Sequence, residues 1–229
     1  MNILALDTAT PILSVALSAG GGRYYMEIDA GQKHSEILMD GINDLMKRAG
    51  LSPEDLGGVV CMEGPGSFTG LRIGFAAAKG LALALGIPMG AVPTLDCMAA
   101  PLSPWPGIIL PAMDAKKHAF FTALYRGAER ISGYMDIDVP SIAAKITEAR
   151  GEGQNIPLLL TGPDGDILKE KLCPHIPEIP IYLDPGYRRG RARELLEITQ
   201  KCLIIEKGGG FVFDGPRYLR KSDAELNGR

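Results

Sequence analysis

Three carboxylates lie where predicted strands end, and they are the side chains in this sequence best placed for chemistry. Asp7 closes the first apolar run, Glu63 the fourth, and Asp114 the first strand of the second half. Carboxylate oxygens are the ligands that Mg²⁺ prefers, and bound Mg²⁺ assists phosphoryl and phosphodiester chemistry. Short acidic side chains at such positions also accept N–H bonds within turns. The pattern therefore leaves two interpretations open, a magnesium site and a set of turn caps.

A glycine-rich segment, EGPGSFTGLRIG at positions 63–74, joins the fourth predicted strand to a long helix. Backbone N–H groups at the start of a helix can hold an anion. The segment has neither the Gly-Lys-Ser/Thr of a P-loop nor the GxGxxG spacing. A structural turn, with Ser67 or Thr69 capping the helix, is the alternative. The residues of this candidate nucleotide or anion turn are Asp7, Thr8, Gly64, Gly66, Ser67, Thr69 and Gly70.

The helix after this turn is apolar on all its sides, since Arg72 and Lys79 are its only charges between positions 70 and 86. Such a helix must be buried all round, and its own sheet covers only one side. Gly70, Gly74 and Ala78 form a stripe of small residues that lets a second helix approach closely. That second helix belongs either to the same lobe or to another chain.

The helix predicted at positions 34–49 is amphipathic and provides a second apolar surface. Together the two long helices form the predicted partner interface, in which buried apolar area drives association. We expect a bulky charge at Gly74 to block it. The predicted interface residues are Ile37, Leu38, Ile42, Leu45, Met46, Gly70, Ile73, Gly74, Ala77, Ala78 and Leu81.

One basic cluster, YRRGRAR at positions 187–193, is the candidate for contact with nucleic-acid phosphates. Arg188, Arg189 and Arg191 are the residues proposed for this role. The alternative is a solvated start of a helix, in which Glu194 and Glu197 pair with the arginines at helical spacing. Because the net charge of the chain is −3, the cluster would contribute only part of a larger site.

Composition excludes several classes of protein. The 229 residues include four cysteines without a CxxC pair, so neither a zinc site nor a disulfide scaffold is expected. His34 has Leu38 rather than a second histidine at i+4, which removes the usual helical metal pair. The longest apolar run is shorter than the roughly 20 residues of a membrane span, and no basic signal-peptide region opens the chain. We therefore expect a cytoplasmic protein that binds neither a metal nor a membrane.

The order of the predicted elements repeats along the chain. Three strands, a helix, a strand, a helix and a further strand fill positions 2–92, and a similar series begins at position 107. A proline-rich stretch at positions 101–106 separates the copies, because a helix cannot continue through it. We predict an α/β protein with two lobes, each of order βββαβα(β), at residues 1–105 and 106–229. This order is typical of the actin-like ATPase (ribonuclease H-like) fold.

Several of these motifs together resemble the TsaB (YeaZ) family of bacterial tRNA threonylcarbamoyladenosine biosynthesis proteins, in the Gcp-like group of the actin-like ATPase superfamily. The most specific is GPGSFTGLRIG at positions 64–74, accompanied by ILALDTAT at 3–10, SVAL at 14–17 and HSE at 34–36. The DAKK segment at 114–117 and PRYLR at 216–220 resemble later motifs, so the resemblance spans nearly the whole chain. Positions 138–185 show nothing diagnostic.

The resemblance implies a subunit that is not itself an enzyme. Members of the family pair with the catalytic homologue TsaD and the ATPase TsaE. The complex transfers threonylcarbamoyl to the adenosine next to the anticodon of ANN-decoding tRNAs. The resemblance further implies that this chain binds no cofactor alone, that ATP and Mg belong to the complex, and that tRNA is bound through the complex. It also implies a homodimer of the isolated chain through the first two long helices, those of the predicted interface.

The alternative function is an autonomous Mg-dependent nucleotide hydrolase or nuclease that uses Asp7, Glu63 and Asp114. Such an enzyme would bind Mg-ATP or cleave nucleic acid as a lone chain. The Asp7→Asn variant would then lose that activity.

Overall fold

The computed structural model describes residues 1–151, 156–202 and 215–219 and divides the chain into two α/β units. The first unit holds the described residues within Met1–Cys97 and Gly190–Arg217. The second holds those within Met98–Arg189 and Tyr218–Arg229. The predicted division at positions 105 and 106 differs from this, because the first unit ends earlier and the chain returns to it at Gly190.

The first unit is built on a five-stranded sheet. In chain order its elements are β1 (Ile3–Asp7), β2 (Ile12–Ala19), β3 (Gly22–Asp29), α1 (His34–Ala49), β4 (Gly58–Gly64), α2 (Phe68–Leu85) and β5 (Met89–Pro93). The next helix, α3 (Thr94–Ala99), contains the boundary between the two units. The strand order is β3-β2-β1-β4-β5. The first three strands are antiparallel, and β4 and β5 run parallel to β1.

The second unit repeats this topology, with strand order β10-β7-β6-β11-β12. Its elements are β6 (Ile108–Asp114), β7 (Ala119–Thr122), β8 (Tyr125–Arg126), β9 (Glu129–Arg130), β10 (Met135–Asp138), α4 (Val139–Arg150), β11 (Leu158–Thr161), α5 (Gly165–Leu172) and β12 (Ile181–Leu183). The chain then returns to the first unit as α6 (Ala192–Cys202). The duplicated order confirms the predicted actin-like arrangement.

The strand that pairs antiparallel with β6 is interrupted between β7 and β8. The antiparallel register of β6 with β7 and β8 places Ala123 opposite Pro111, between the two paired stretches. Proline has no N–H to donate to a ladder. The pairing therefore stops after Thr122 and resumes at Tyr125.

Both faces of the first sheet are buried, and β1 shows how. Its alternating side chains divide between two cores: Leu4 and Leu6 pack with α1 and α2, while Ile3 and Ala5 pack with residues of α6. A strand buried on both sides appears in sequence as a continuous apolar run, as here. Because α6 supplies the second layer, the last described helix belongs to the first unit and not to the second lobe that the sequence predicted.

Candidate functional site

The glycine-rich turn lies against the loop that follows β1. The Thr8 hydroxyl donates to the backbone oxygen of Gly70 at 2.8 Å, and Ser67 N donates to the backbone oxygen of Ala9 at 2.8 Å. Ser67 Oγ accepts from Gly70 N at 3.2 Å, so the predicted role of Ser67 as the cap of α2 is confirmed. Hydrogen bonds therefore hold the turn and the start of α2 against Thr8 and Ala9.

The glycines of this segment allow that close approach. A Cβ atom at Gly70 or Gly74 would lie closer than 3.0 Å to Thr8, and one at Gly66 closer than 3.0 Å to Ala9. Any larger residue would push α2 away from the β1 loop. The interpretation of Gly70 and Gly74 as a stripe for a second helix is therefore wrong, because they meet Thr8 of their own unit.

The beginning of the turn is covered by a short C-terminal segment. Arg217 N donates to the backbone oxygen of Glu63 at 2.7 Å, and Arg217 Nη2 lies 2.9 Å from Glu63 Oε1. Gly64 has a φ of 116°, and a Cβ there would lie closer than 3.0 Å to the backbone oxygen of Arg217. At this end of the turn the Glu63 carboxylate is therefore paired with the Arg217 guanidinium, and the Arg217 carbonyl oxygen covers Gly64. Binding of a nucleotide at the turn stays a prediction.

Asp7 is fully buried at the end of β1 and anchors the start of α6. Its Oδ1 accepts from Ala9 N at 3.0 Å, and its Oδ2 accepts from Arg191 N at 2.8 Å. The next amide, Ala192 N, donates to Ser14 Oγ at 3.0 Å. Burial raises the pKa of the Asp7 carboxyl from 3.8 to about 6, and the two hydrogen bonds and the Arg191 charge only partly offset it.

This raised pKa predicts a pH dependence of stability. The folded chain binds the Asp7 proton more tightly than the unfolded chain does, so the contribution is complete below pH 3.8 and is lost as the pH rises through about 6. Between pH 5 and pH 7.5 we expect a loss of about 1 kcal/mol from this group. Urea unfolding of the wild type and of Asp7→Ala at both pH values measures it, since the difference between the two chains isolates Asp7. A difference that does not change with pH would contradict the prediction.

The three candidate magnesium ligands are each engaged by neighbouring groups. Asp7 accepts hydrogen bonds from two backbone amides, and Glu63 pairs with Arg217. Asp114 accepts from Lys116 N at 2.8 Å and from Lys116 Nζ at 2.9 Å. Asp7 and Asp114 both accept the N–H two residues ahead, which confirms the turn-capping interpretation for them. Within the described part of the chain, no group of three or more His, Cys, Asp and Glu side chains is placed to hold a metal ion.

Most of the predicted interface residues lie inside the first unit. Those buried in its fold are Leu38, Ile42, Leu45, Met46, Gly70, Gly74 and Ala78. They have no surface for a partner, so the prediction is wrong for them. The helical period identifies the apolar face of a helix, and here the sheet of the same unit covers that face. Ile37, Ile73, Ala77 and Leu81 are partly buried at the edge of this core.

The opposite face of α2 is exposed and still largely apolar. Its exposed residues, which we call the α2 outer face, are Thr69, Arg72, Ala76, Lys79, Gly80, Leu83 and Ala84. Leu83 is 67% exposed, and only 33% of the residues of α2 are buried. Among the described helices, α2 alone is long and apolar enough to span a membrane by length and composition. Its inner face packs into the core of the first unit.

The arginines of the basic cluster have different environments. Arg191 is 0% exposed, so its predicted contact with nucleic acid is wrong. Arg188 is exposed and lies 3.1 Å from Asp166 Oδ2. Arg189 is half-buried. The pairing predicted at helical spacing holds for Arg191 and Glu194, whose charged atoms are 4.0 Å apart.

Comparison with known proteins decides the family. The family model described as TsaD, tRNA N6-adenosine threonylcarbamoyltransferase, matches residues 28–161. The tRNA threonylcarbamoyladenosine biosynthesis protein TsaB of Bacillus subtilis (strain 168) is 33% identical over 173 residues, 75% of this chain and 75% of that protein. The chain belongs to the TsaB family. The TsaB protein of Escherichia coli (strain K12) is 37% identical over 132 residues, 56% of this chain and 57% of that protein.

Solved structures extend the TsaB-like fold over nearly the whole chain. A Pseudomonas aeruginosa protein described as similar to peptidase YeaZ has a TM-score of 0.78 at 25% identity, covering 96% of this chain and 99% of that one. A structure described as YeaZ from Pseudomonas aeruginosa has a TM-score of 0.73 at 23% identity, covering 95% and 99%.

Two features of this TsaB-family chain were not identified from its sequence. One is the exposed apolar residues of α2, Gly80 and Leu83 among them, which a helical projection places opposite the inner face. The other is the contact of Arg217 with Glu63, which joins two family motifs that are far apart in the chain. The helical period of α2 could have identified its exposed apolar residues, whereas no sequence pattern indicates the contact between Arg217 and Glu63.

Proposed function

We propose that this chain is the non-catalytic scaffold subunit of the complex that installs threonylcarbamoyl on the adenosine next to the anticodon of ANN-decoding tRNAs. It pairs there with homologues of TsaD and TsaE in the cytoplasm, and tRNA, ATP and Mg bind to the assembled complex. The TsaB relatives are named for the biosynthesis of this modification. The matching family model describes the threonylcarbamoyltransferase itself.

The use of the carboxylates supports a non-catalytic role. Each oxygen of Asp7 accepts a backbone N–H, and the side chain is fully buried at the junction of β1 and α6, where it serves the fold. Glu63 pairs with Arg217, and Asp114 pairs with Lys116. A hydrolase that depended on these three groups would have to break existing contacts before binding Mg²⁺.

The α2 outer face is the observation that carries the scaffold proposal. A surface helix normally exposes mostly charged and polar residues, whereas beside Thr69, Arg72 and Lys79 this face exposes Ala76, Gly80, Leu83 and Ala84. Exposed apolar patches of this kind mark interaction surfaces. Small side chains at positions 76, 80 and 84 let a partner helix approach closely. We assign this face to the TsaD homologue, and to a second copy when the chain is alone.

Reconstitution tests the function. Threonylcarbamoylation of an ANN-decoding tRNA is measured with TsaD and TsaE homologues, with and without this chain, alongside the ATPase activity of this chain alone. We expect modification only when this chain is present and no ATP hydrolysis by the isolated chain. Hydrolysis by the isolated wild-type chain would overturn the proposal in favour of the hydrolase.

A substitution at Gly80 tests the interface. A Cβ atom at Gly80 would meet nothing within 4 Å and points away from the core, so we expect Gly80→Arg to leave the unit folded and to add a bulky charge to the α2 outer face. We expect at least a tenfold loss of affinity for the TsaD homologue and loss of the homodimer. The matched control is Gly133→Arg in the second unit, where a side chain also meets nothing within 4 Å. Calorimetric titration and analytical ultracentrifugation measure both variants, and wild-type affinity of Gly80→Arg would refute the assignment.

Gly74→Arg, the substitution that the sequence suggested, is not a useful test of the interface. A side chain at Gly74 would overlap Thr8 within the unit. Loss of binding in that variant would report a disturbed fold and not a blocked interface.

A further inference from the structure

A short C-terminal segment, residues 215–217, is seated on the glycine-rich turn by two kinds of contact. Arg217 N donates to the backbone oxygen of Glu63 at 2.7 Å, and the Arg217 guanidinium lies 2.9 Å from the Glu63 carboxylate. We propose that this segment is a latch, held closed by the Arg217–Glu63 pair, that controls access to Glu63 and Gly64 at the beginning of the glycine-rich turn. No property of the proposed function is needed for this inference.

Gly64 is the point where the latch meets α2. A Cβ at Gly64 would lie closer than 3.0 Å to the backbone oxygen of Arg217 and 3.2 Å from Leu71 Cδ1, in the first turn of that helix. The latch therefore lies within one side chain's width of α2. When the latch opens, Glu63 and Gly64 lose their cover, whereas Ser67 and Thr69 are exposed already.

The burial of the ion pair favours a segment that opens locally. The Arg217 side chain is 47% exposed, whereas that of Glu63 is 12% exposed. An ion pair with one solvated partner is weak and is screened by salt. The segment lies at the surface, and its hold on Glu63 is polar. Regions of this kind open at a lower free energy than the core of the same domain.

The uncovered turn has a definite chemistry. The carboxylate and the backbone oxygen of Glu63 are both acceptors, and Gly64 lets another backbone approach closely. This combination selects an extended peptide segment that carries an N–H donor and a cation, as Arg217 does. Residues 215–217 thus fill the site formed by Glu63 and Gly64. An arginine-bearing segment of a partner protein is the kind of ligand that would replace them.

Hydrogen exchange of the full chain tests the latch. Exchange of backbone amides is followed by mass spectrometry for the wild type and for Glu63→Gln, each at 0.05 M and 1 M NaCl. In Glu63→Gln we expect at least fivefold faster exchange in a peptide covering residues 215–217, with unchanged exchange in β1 and at Ser67, Gly70 and Leu71, whose amides stay bonded to Ala9 and Ser67. High salt should accelerate exchange of residues 215–217 in the wild type and have little effect in the variant. Arg217→Ala removes the pair from its other side and should match Glu63→Gln.

The matched control is Glu197→Gln, which removes an ion pair of the same unit. Glu197 lies 2.7 Å from Arg23, and the two side chains are 42% and 56% exposed. Exchange of residues 215–217 should not change in this variant. The latch is overturned if Glu63→Gln leaves that segment as protected as in the wild type. It is also overturned if exchange rises equally in β1, because the segment would then open only with the whole unit.

Discussion

Gly70→Ala is expected to lower the free energy of unfolding by at least about 2 kcal/mol. The added Cβ would lie closer than 3.0 Å to the backbone oxygen of Thr8, where no flexible side chain can move aside. Moving α2 to relieve the overlap would break the hydrogen bond from Thr8 Oγ1 to the Gly70 oxygen, now 2.8 Å long. These costs exceed the gain of about 1 kcal/mol in helix propensity that alanine brings.

Gly80→Ala in the same helix is the matched control. A Cβ at Gly80 meets nothing within 4 Å, so only the helix propensity changes. We expect this variant to be more stable than the wild type by about 0.5–1 kcal/mol. Urea unfolding of both variants measures the contrast. Equal changes in the free energy of unfolding for Gly70→Ala and Gly80→Ala would show that α2 does not pack against the loop after β1 as described.

Asp7→Ala is expected to cost about 2–4 kcal/mol at pH 7.5 and about 1 kcal/mol more at pH 5. The variant leaves the buried N–H groups of Ala9 and Arg191 without the oxygens that now accept from them. It also removes the carboxylate whose pKa the Arg191 charge lowers, within a site where Arg191 is fully buried. Removing one member of a buried polar set leaves the others uncompensated.

The effect of Asp7→Ala should appear first at α6. Hydrogen exchange at the start of α6 should rise more than in β3, together with the lower midpoint of urea unfolding. Asp29→Ala, at an exposed carboxylate that ends β3, is the control and should change stability by less than about 0.5 kcal/mol. Wild-type stability of Asp7→Ala would mean that the anchor of α6 lies elsewhere.

The order of elements was predictable because its signals are local. Gly50 and Gly86 end α1 and α2 in the left-handed conformation, as expected for helix ends that need positive φ. Ser67 caps α2 through the amide of Gly70, only three residues away. The apolar faces of both helices follow the 3.6-residue period, and those faces do pack in a core. The family was accessible for a similar reason, since GPGSFTGLRIG is continuous in sequence.

The roles of the polar residues were not predictable, because they depend on partners distant in sequence. Arg191 was expected at a nucleic-acid surface, yet it is buried in the first unit, where its amide bonds to Asp7. Glu63 was a candidate ligand for Mg²⁺, and it pairs with Arg217. No local pattern records which distant residue will lie against a given carboxylate.

The sequence by itself predicted the two α/β repeats, the bounds of α1 and the resemblance to the TsaB family. Only the tertiary structure decided which face of α2 is buried, which unit α6 completes, and why Gly70 must be glycine. Secondary structure follows from the conformational preferences and periodicity of neighbouring residues. Burial and close approach follow from the packing of elements that are separated in the chain, so a pattern shows that a residue is apolar or small without showing what it touches.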